Sequence, residues 1–279
     1  MTMRTLKTFF IGIYFFFIDL PYLLMTDYTI KRKAYIIYIY IKSLFFNVLF
    51  WLDYISIDWL KIKSFNWLTV FSLFMEIFYR NEYFSLYQKD PKLIIDCGAN
   101  TWMTSIFFAH RYPNAKIISF EPNAKAFSIF TENITNNSLN NIEAFNIALS
   151  DQDWEIDFFD TDEPSFSTGT LENRSWQYKK TKVKSEILSK LINNHVDILK
   201  IDIEWSEDNV IFDLDKKWTF PLISEIILEY HHNINWQESN LPEILSIFKK
   251  WGFFYAINTT NYRVFETNKF QDIIIHAKK

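Results

Sequence analysis

Two apolar runs in this chain end in carboxylates: Ile94-Ile-Asp-Cys-Gly-Ala-Asn100 and Ile198-Leu-Lys-Ile-Asp-Ile-Glu204. In an open α/β sheet, ligands bind outside the carboxyl ends of the strands, so Asp96, Asp202 and Glu204 would gather at one edge. Gly98 frees the chain to turn sharply out of the first strand. The helix that follows, opening near Thr101, would present free N–H groups and a positive dipole end to a carboxylate or phosphate. Taken alone, Asp96 reads first as the cap of that helix. A third run, Ile117-Ile-Ser-Phe120, leads into Glu121-Pro122-Asn123. Glu121 follows the first loop at about 20 to 25 positions, the spacing of an acid that binds ribose hydroxyls at the neighbouring strand end. The two strand ends together favour an adenosine-containing ligand.

Groups suited to proton transfer cluster at later strand ends: Asp202, Glu204, Glu229, His231 and His232. Glu229 and His231, two apart on a strand, point to the same side. Asp202, Glu229 and His231 offer oxygen and imidazole ligands that a divalent metal accepts. A metal-free base, a metal site and plain structural hydrogen bonding all stay open, with the base preferred and no metal ligand assigned. Cys97 beside Gly98 reads as a small buried residue rather than a nucleophile.

These strands need a scaffold, and the composition provides for one. At 279 residues with 49% hydrophobic content the chain can bury a large core. A formal net charge of -4 gives no electrostatic reason to expect a nucleic-acid partner. The single cysteine rules out an internal disulfide and fits a reducing compartment. From Lys92 onward strands and helices alternate, which predicts a mainly parallel, doubly wound α/β sheet. Strands are expected at 92–96, 116–120, 142–147, 197–203, 223–230, 253–258 and 271–277. Helices are expected at 101–112, 124–136, 208–214 and 241–251. A polar insertion at 150–190 reads as a strand pair, 155–160 with 178–183, joined by a Ser/Thr-rich loop. Its Lys179-Lys180-Thr-Lys182 run reads as a solvated strand face.

Before Asp90-Pro91 the chain changes character. Residues 8–52 are aromatic and aliphatic in two blocks, 8–18 and 34–52, separated by Lys31-Arg32-Lys33. The first block is too short to span a bilayer and the second carries Lys42, Ser43 and Asn47. Three readings fit: helices packed on the catalytic domain, a surface-lying pair, or one span. No small-residue cleavage site follows, so export is not expected. The location read from this is cytoplasmic, with peripheral contact to the inner membrane as the variant. Residues 55–65 read as a short strand-like stretch and 68–80 as a helix.

Taken in order, Asp96-Cys-Gly-Ala-Asn100 with Ser105, Tyr112-Pro-Asn-Ala-Lys116, Phe120-Glu-Pro-Asn123, Asn146-Ile-Ala-Leu-Ser150 and Leu199-Lys-Ile-Asp-Ile-Glu204 resemble the successive motifs of FkbM-type methyltransferases. Glu76-Ile-Phe78, Glu82-Tyr-Phe84 and Lys269-Phe-Gln-Asp272 resemble segments of bacterial members. The resemblance covers 68–277, and implies a class I (Rossmann-like) methyltransferase domain at 68–279 behind a helical extension at 1–67. It implies S-adenosylmethionine as cofactor and methyl transfer, usually to oxygen, with a sugar hydroxyl in a glycan pathway as the expected acceptor. Carried over by position, Asp96, Gly98, Ala99 and Asn100 would line the methionine end. Glu121 would hold the ribose hydroxyls with Pro122 fixing the chain direction beside the cofactor, and Asn123, Asn146 and Ala148 would lie toward the adenine. Asp202, Glu204, Glu229 and His231 would supply base or acceptor orientation. A catalytically inactive binding module and a membrane-associated assembly protein are the alternatives. An NAD-type oxidoreductase is disfavoured because Gly-x-Gly-x-x-Gly is absent.

The chain departs from that pattern at tryptophans. The family's first motif continues Asn-x-Gly where this chain has Trp102, and its Ile-Glu-Gly is met by Trp205. Asp153-Trp154-Glu155 is also a turn context that commonly holds glycine. The chain has 4 glycines and 10 tryptophans, whereas average usage would give roughly 20 glycines. A gene whose UGA codons mean glycine, translated as though they meant tryptophan, would produce this pattern, and Trp59 and Trp218 are further candidates. Real tryptophans at 102 and 205 would instead crowd the cofactor's cleft.

Overall fold

A computed structural model describes residues 29–31, 33–35, 37, 38, 41, 54–57, 60–63, 77, 83, 85, 90–100, 103–160, 179–204, 206–232, 239–259 and 271–279. The expected block at 8–18, most of the one at 34–52 and nearly all of the 68–80 helix fall outside these residues. The described residues between 30 and 41 are helical. Among the described residues no helix is long and apolar enough to cross a membrane.

Seven strands form the main sheet: β3 (Leu93–Cys97), β4 (Lys116–Phe120), β5 (Ile142–Phe145), β9 (Val196–Ile201), β10 (Ile223–His232), β11 (Phe254–Thr259) and β12 (Gln271–Lys278). Their order is β11-β12-β10-β9-β3-β4-β5. β5, β4, β3, β9 and β10 run parallel, while β12 is antiparallel to both β10 and β11. This is the doubly wound class I arrangement implied above. Because helices cover both faces, the central strands are apolar on both sides. Ile94, Ile198 and Ile227 pack on one face with Ile106, Phe108 of α1 (Met103–Arg111) and Phe130 of α2 (Ala124–Asn136). Ile95, Leu199 and Ile226 pack on the other with Leu188 of α3 (Leu188–Leu191), Ile211 and Leu214 of α4 (Glu207–Lys216), and Ile244 and Phe248 of α5 (Leu241–Lys250).

The strand expected at 142–147 ends two residues early. β5 stops at Phe145, and β6 (Ala148–Ser150) crosses to a second sheet, order β6-β8-β7, with β7 (Trp154–Asp160) and β8 (Lys179–Ile187). Asn146 makes the crossover: its amide donates to the carbonyls of Glu121 (2.8 Å) and Pro122 (3.0 Å). The lysine run lies exposed on β8, with Lys180 and Lys182 each 2.6 Å from Asp157 on β7.

The stretch expected as one strand-like segment at 55–65 is a hairpin of β1 (Tyr54–Ile57) and β2 (Leu60–Lys63). Leu60 and Ile62 are buried in the same core as Ile94 and Phe108. Among the described residues, β2's other edge is held by side chains instead of a strand. Asn133 exchanges hydrogen bonds with Lys63 N–H (2.8 Å) and C=O (2.9 Å), and Asn137 does the same with Lys61 (2.8 and 2.9 Å). Four helical residues rise about 6 Å and two strand residues about 6.6 Å, so asparagines four apart on α2 match alternate residues of a strand.

Candidate functional site

The carboxyl ends of β3, β4 and β9 surround a cleft lined by Gly98, Asn100, Glu121, Pro122, Ala148, Phe158, Asp202 and Glu204, among others. The turn out of β3 sets its floor. Gly98 and Ala99 both donate to Phe120 C=O (3.0 and 2.9 Å), and Asp202 N–H donates to Cys97 C=O (3.0 Å). Gly98 has φ 85°, and a Cβ there would lie 1.7 Å from the Asp202 carbonyl oxygen. The β3 and β9 tips therefore approach as closely as only glycine permits.

Glu121 forms one wall. Its two oxygens accept from Asn100 N–H and Asn123 N–H, each at 2.8 Å. Burial pushes its carboxyl up to about 7 even though these two donors and Lys200 favour the charge. A folded value above the ordinary 4.5 means that the fold binds this proton more tightly than the unfolded chain does. The stability so contributed, about 3 kcal/mol, is full below about pH 4.5 and is lost as pH rises through about 7. Urea titrations of ligand-free protein should therefore show a loss of stability between about pH 5 and about pH 8 that shrinks in Glu121→Gln.

Not every position named from the sequence reaches the cleft. Asp96 is fully buried beneath it, accepting from Ser105 Oγ (2.5 Å) and lying 3.4 Å from Lys200 Nζ. Asn123 caps α2 by accepting from Lys125 and Ala126 N–H (2.9 and 3.0 Å), and its amide donates to Asp160 (2.6 Å). Asn146 is taken up in the crossover. These three hold the walls, while Gly98, Asn100, Glu121, Pro122 and Ala148 line the space. Cys97 is buried, and burial raises its thiol well above the usual range, in keeping with a packing role.

Beyond Asp202 and Glu204 the cleft borders a compact group on β10. His231 Nδ1 is 3.0 Å from Glu207 Oε1, and Nε2 is 3.6 Å from Glu204 and 4.0 Å from Asp272. Burial opposes charge on this ring, but Glu207, Glu204 and Asp202 hold it well above the ordinary histidine value. Glu229 accepts from Tyr83 Oη, and burial reinforced by Asp202 raises its carboxyl well above its usual range. The four catalytic candidates Asp202, Glu204, Glu229 and His231 are thus neighbours. His232 has no described side chain. Asp202, Glu207 and His231, and likewise Glu229, His231 and Asp272, bring ligand atoms within 4.8 Å of one another, a spacing a divalent cation accepts.

A profile of the methyltransferase FkbM domain matches residues 96–255, more than half of the chain. The chain belongs to the FkbM methyltransferase family. This FkbM domain is 26% identical over 162 residues to "Methyltransferase 1" of Beauveria bassiana, covering 50% of this chain and 65% of that protein. It is 23% identical over 194 residues to "Methyltransferase sdnD" of Sordaria araneosa, covering 57% and 73%. The chain therefore spans somewhat less than two thirds of the Beauveria protein's length. Both are fungal, whereas the flanking segments 76–78, 82–84 and 269–272 resemble bacterial members. Among solved structures, the FkbM methyltransferase of Methylobacillus flagellatus KT aligns at 12% identity and TM-score 0.46, over 98% of this chain and 59% of that one. M. jannaschii TYW2, solved in complex with AdoMet, aligns at 16% and 0.42, over 78% and 80%.

Two residues of this FkbM site escaped the sequence reading. Lys200 is 1% exposed and bridges Asp96 (3.4 Å) and Asp202 (3.2 Å), with its ammonium donating to Gly98 C=O (2.9 Å). Burial opposes its charge, but Asp202, Asp96 and Glu229 hold it above the usual lysine value. Glu207, also buried, accepts from Ile203 N–H (3.2 Å) as well as facing His231. A lysine inside an apolar strand was the available signal for the first. Glu207 gave none, since an acid in a helix's first turn is ordinary. Trp102 and Trp205 lie outside the described residues.

Proposed function

We propose that this chain is an S-adenosylmethionine-dependent O-methyltransferase acting on a hydroxyl of a small molecule, with a sugar or glycan intermediate as the acceptor class. The observation that supports it most is Glu121: a buried carboxylate at the tip of β4, held by two backbone N–H groups and facing a cleft beside a glycine-only turn. That is the placement of a ribose-binding acid. When bound, the cofactor supplies a methyl group on a positively charged sulfur.

The chain's own residues then divide the work. Glu121 accepts from ribose hydroxyls while Gly98 to Asn100 and Asp202 shape the methionine end. Ala148 and Pro122 give apolar contact toward the adenine. Glu207 fixes the ring of His231 through Nδ1, which leaves Nε2, beside Glu204, to take the acceptor hydroxyl's proton. Glu204 and Asp202 orient that hydroxyl. In this reading residues 68–279 are the methyltransferase domain and 1–67 an extension whose hairpin packs on it, in the cytoplasm or against the inner membrane.

Equilibrium dialysis with S-adenosylmethionine and with NAD tests the cofactor assignment; retention of NAD alone would overturn it. Transfer of labelled methyl to a panel of sugars and glycan intermediates tests the acceptor. His231→Ala should cut kcat by about 10²-fold or more while leaving cofactor affinity unchanged. Because the surrounding carboxylates raise His231, kcat/KM should climb with pH above neutrality. Glu207→Gln removes the nearest of those charges and should move the climb to lower pH.

A further inference from the structure

Two of the three described tryptophans adopt a backbone that bulky residues rarely take: Trp154 at φ 86° and Trp218 at φ 57°. Only a few per cent of non-glycine residues have positive φ, because Cβ then crowds the neighbouring carbonyl. Both described glycines, Gly98 and Gly252, sit in the same region at 85° and 78°.

Trp218 ends α4 in a way that calls for glycine. Its N–H donates to Asp215 C=O (3.2 Å), and Thr219 N–H donates to Leu214 C=O (3.0 Å). This pairing defines a helix end whose left-handed residue is usually glycine. The chain contains its own comparison at the end of α5. There Gly252 N–H donates to Lys249 C=O (3.1 Å) and Phe253 N–H to Phe248 C=O (2.9 Å), with glycine in the position that Trp218 holds on α4.

The side chains tell the same story. Trp251 is an indole with a place: Nε1 donates to Asp215 (2.5 Å) and the ring stacks on Phe220 at 5.9 Å. Trp154 and Trp218 are 83% and 71% exposed, although Trp218 meets the edge of Trp251 at 5.1 Å. A third position follows from strand register. Ile57 pairs with Leu60, so the hairpin has only Asp58-Trp59 as its connection, where Asp-Gly is a favoured pair. Trp59 itself lies outside the described residues.

We propose that Trp59, Trp154 and Trp218 are glycines in the protein made in its own cell, encoded by UGA codons that its genetic code reads as glycine. Chance substitution has no reason to select left-handed turns, whereas reassignment of one codon converts glycines wherever glycine was needed. Trp102 and Trp205 belong to the same set; their inclusion alone rests on the functional reading above.

Reading the gene tests this without any assay of methyl transfer. TGA at codons 59, 154 and 218, with TGG at 251, is the expected result, and TGG at those three positions overturns the proposal. Thermal melting of the full chain supplies the second arm. Trp154→Gly and Trp218→Gly should each raise Tm by roughly 2–4 °C. In-frame TGA with both substitutions lowering Tm would mean that the codon is read as tryptophan, and would overturn the proposal as well.

Discussion

Gly98→Ala should destabilise the protein by roughly 4 kcal/mol or more and lower Tm by about 10 °C or more. Two costs add. The left-handed φ of 85° is unfavourable for alanine, by about 1–2 kcal/mol. The methyl group would also stand 1.7 Å from the Asp202 carbonyl oxygen, which is backbone and cannot swing away. Relief requires parting β3 from β9, which breaks the bond from Asp202 N–H to Cys97 C=O. Gly252→Ala is the built-in control: its φ is similar, at 78°, but nothing lies within 4 Å of the added atom. That variant should lose only about 1 kcal/mol. Equal melting temperatures for the two would show that the approach of the β3 and β9 tips is not what constrains position 98.

Lys200→Met should cost about 3–5 kcal/mol in urea titration at neutral pH. Methionine fills the space but leaves Asp96 and Asp202 without the ammonium that lies 3.4 and 3.2 Å from them. Asp96 is fully buried, and a buried charge without its partner is the expensive part of breaking such a pair. Asp96→Asn added to Lys200→Met should therefore recover part of the loss. A loss that Asp96→Asn leaves unchanged would point to lost packing instead.

The parts of this fold that were legible in the sequence are those decided locally. α2 begins and ends as expected because Asn123 caps it and an apolar stripe continues to Asn136. The parallel strands were visible as short apolar runs ending in polar turns, and β4 falls on its expected residues. What local pattern could not carry was the destination of each side chain. Asp96 and Glu121 are both acids at strand ends, yet one supports the floor and the other faces the cleft. The difference comes from Lys200, about a hundred positions away in sequence and directly underneath in space. Glu207 acquires its role only when β10 brings His231 against the first turn of α4. The early end of the strand expected at 142–147 was hidden for a similar reason, since the amide of Asn146 bonds to carbonyls on β4's exit.

The place of β12 in the sheet has a consequence for how the chain is made. This strand, from the last described residues, lies between β11 and β10 and pairs with both. On a ribosome, β3, β4 and β9 are synthesised long before residues 271–278 appear, so β10 waits with an open edge that includes Ile226, Leu228 and Tyr230. Unpaired apolar edges of this kind invite association between nascent chains. Closure of the sheet is thus a late, long-range event, and slow folding with a need for chaperone protection is the expected behaviour in the cell.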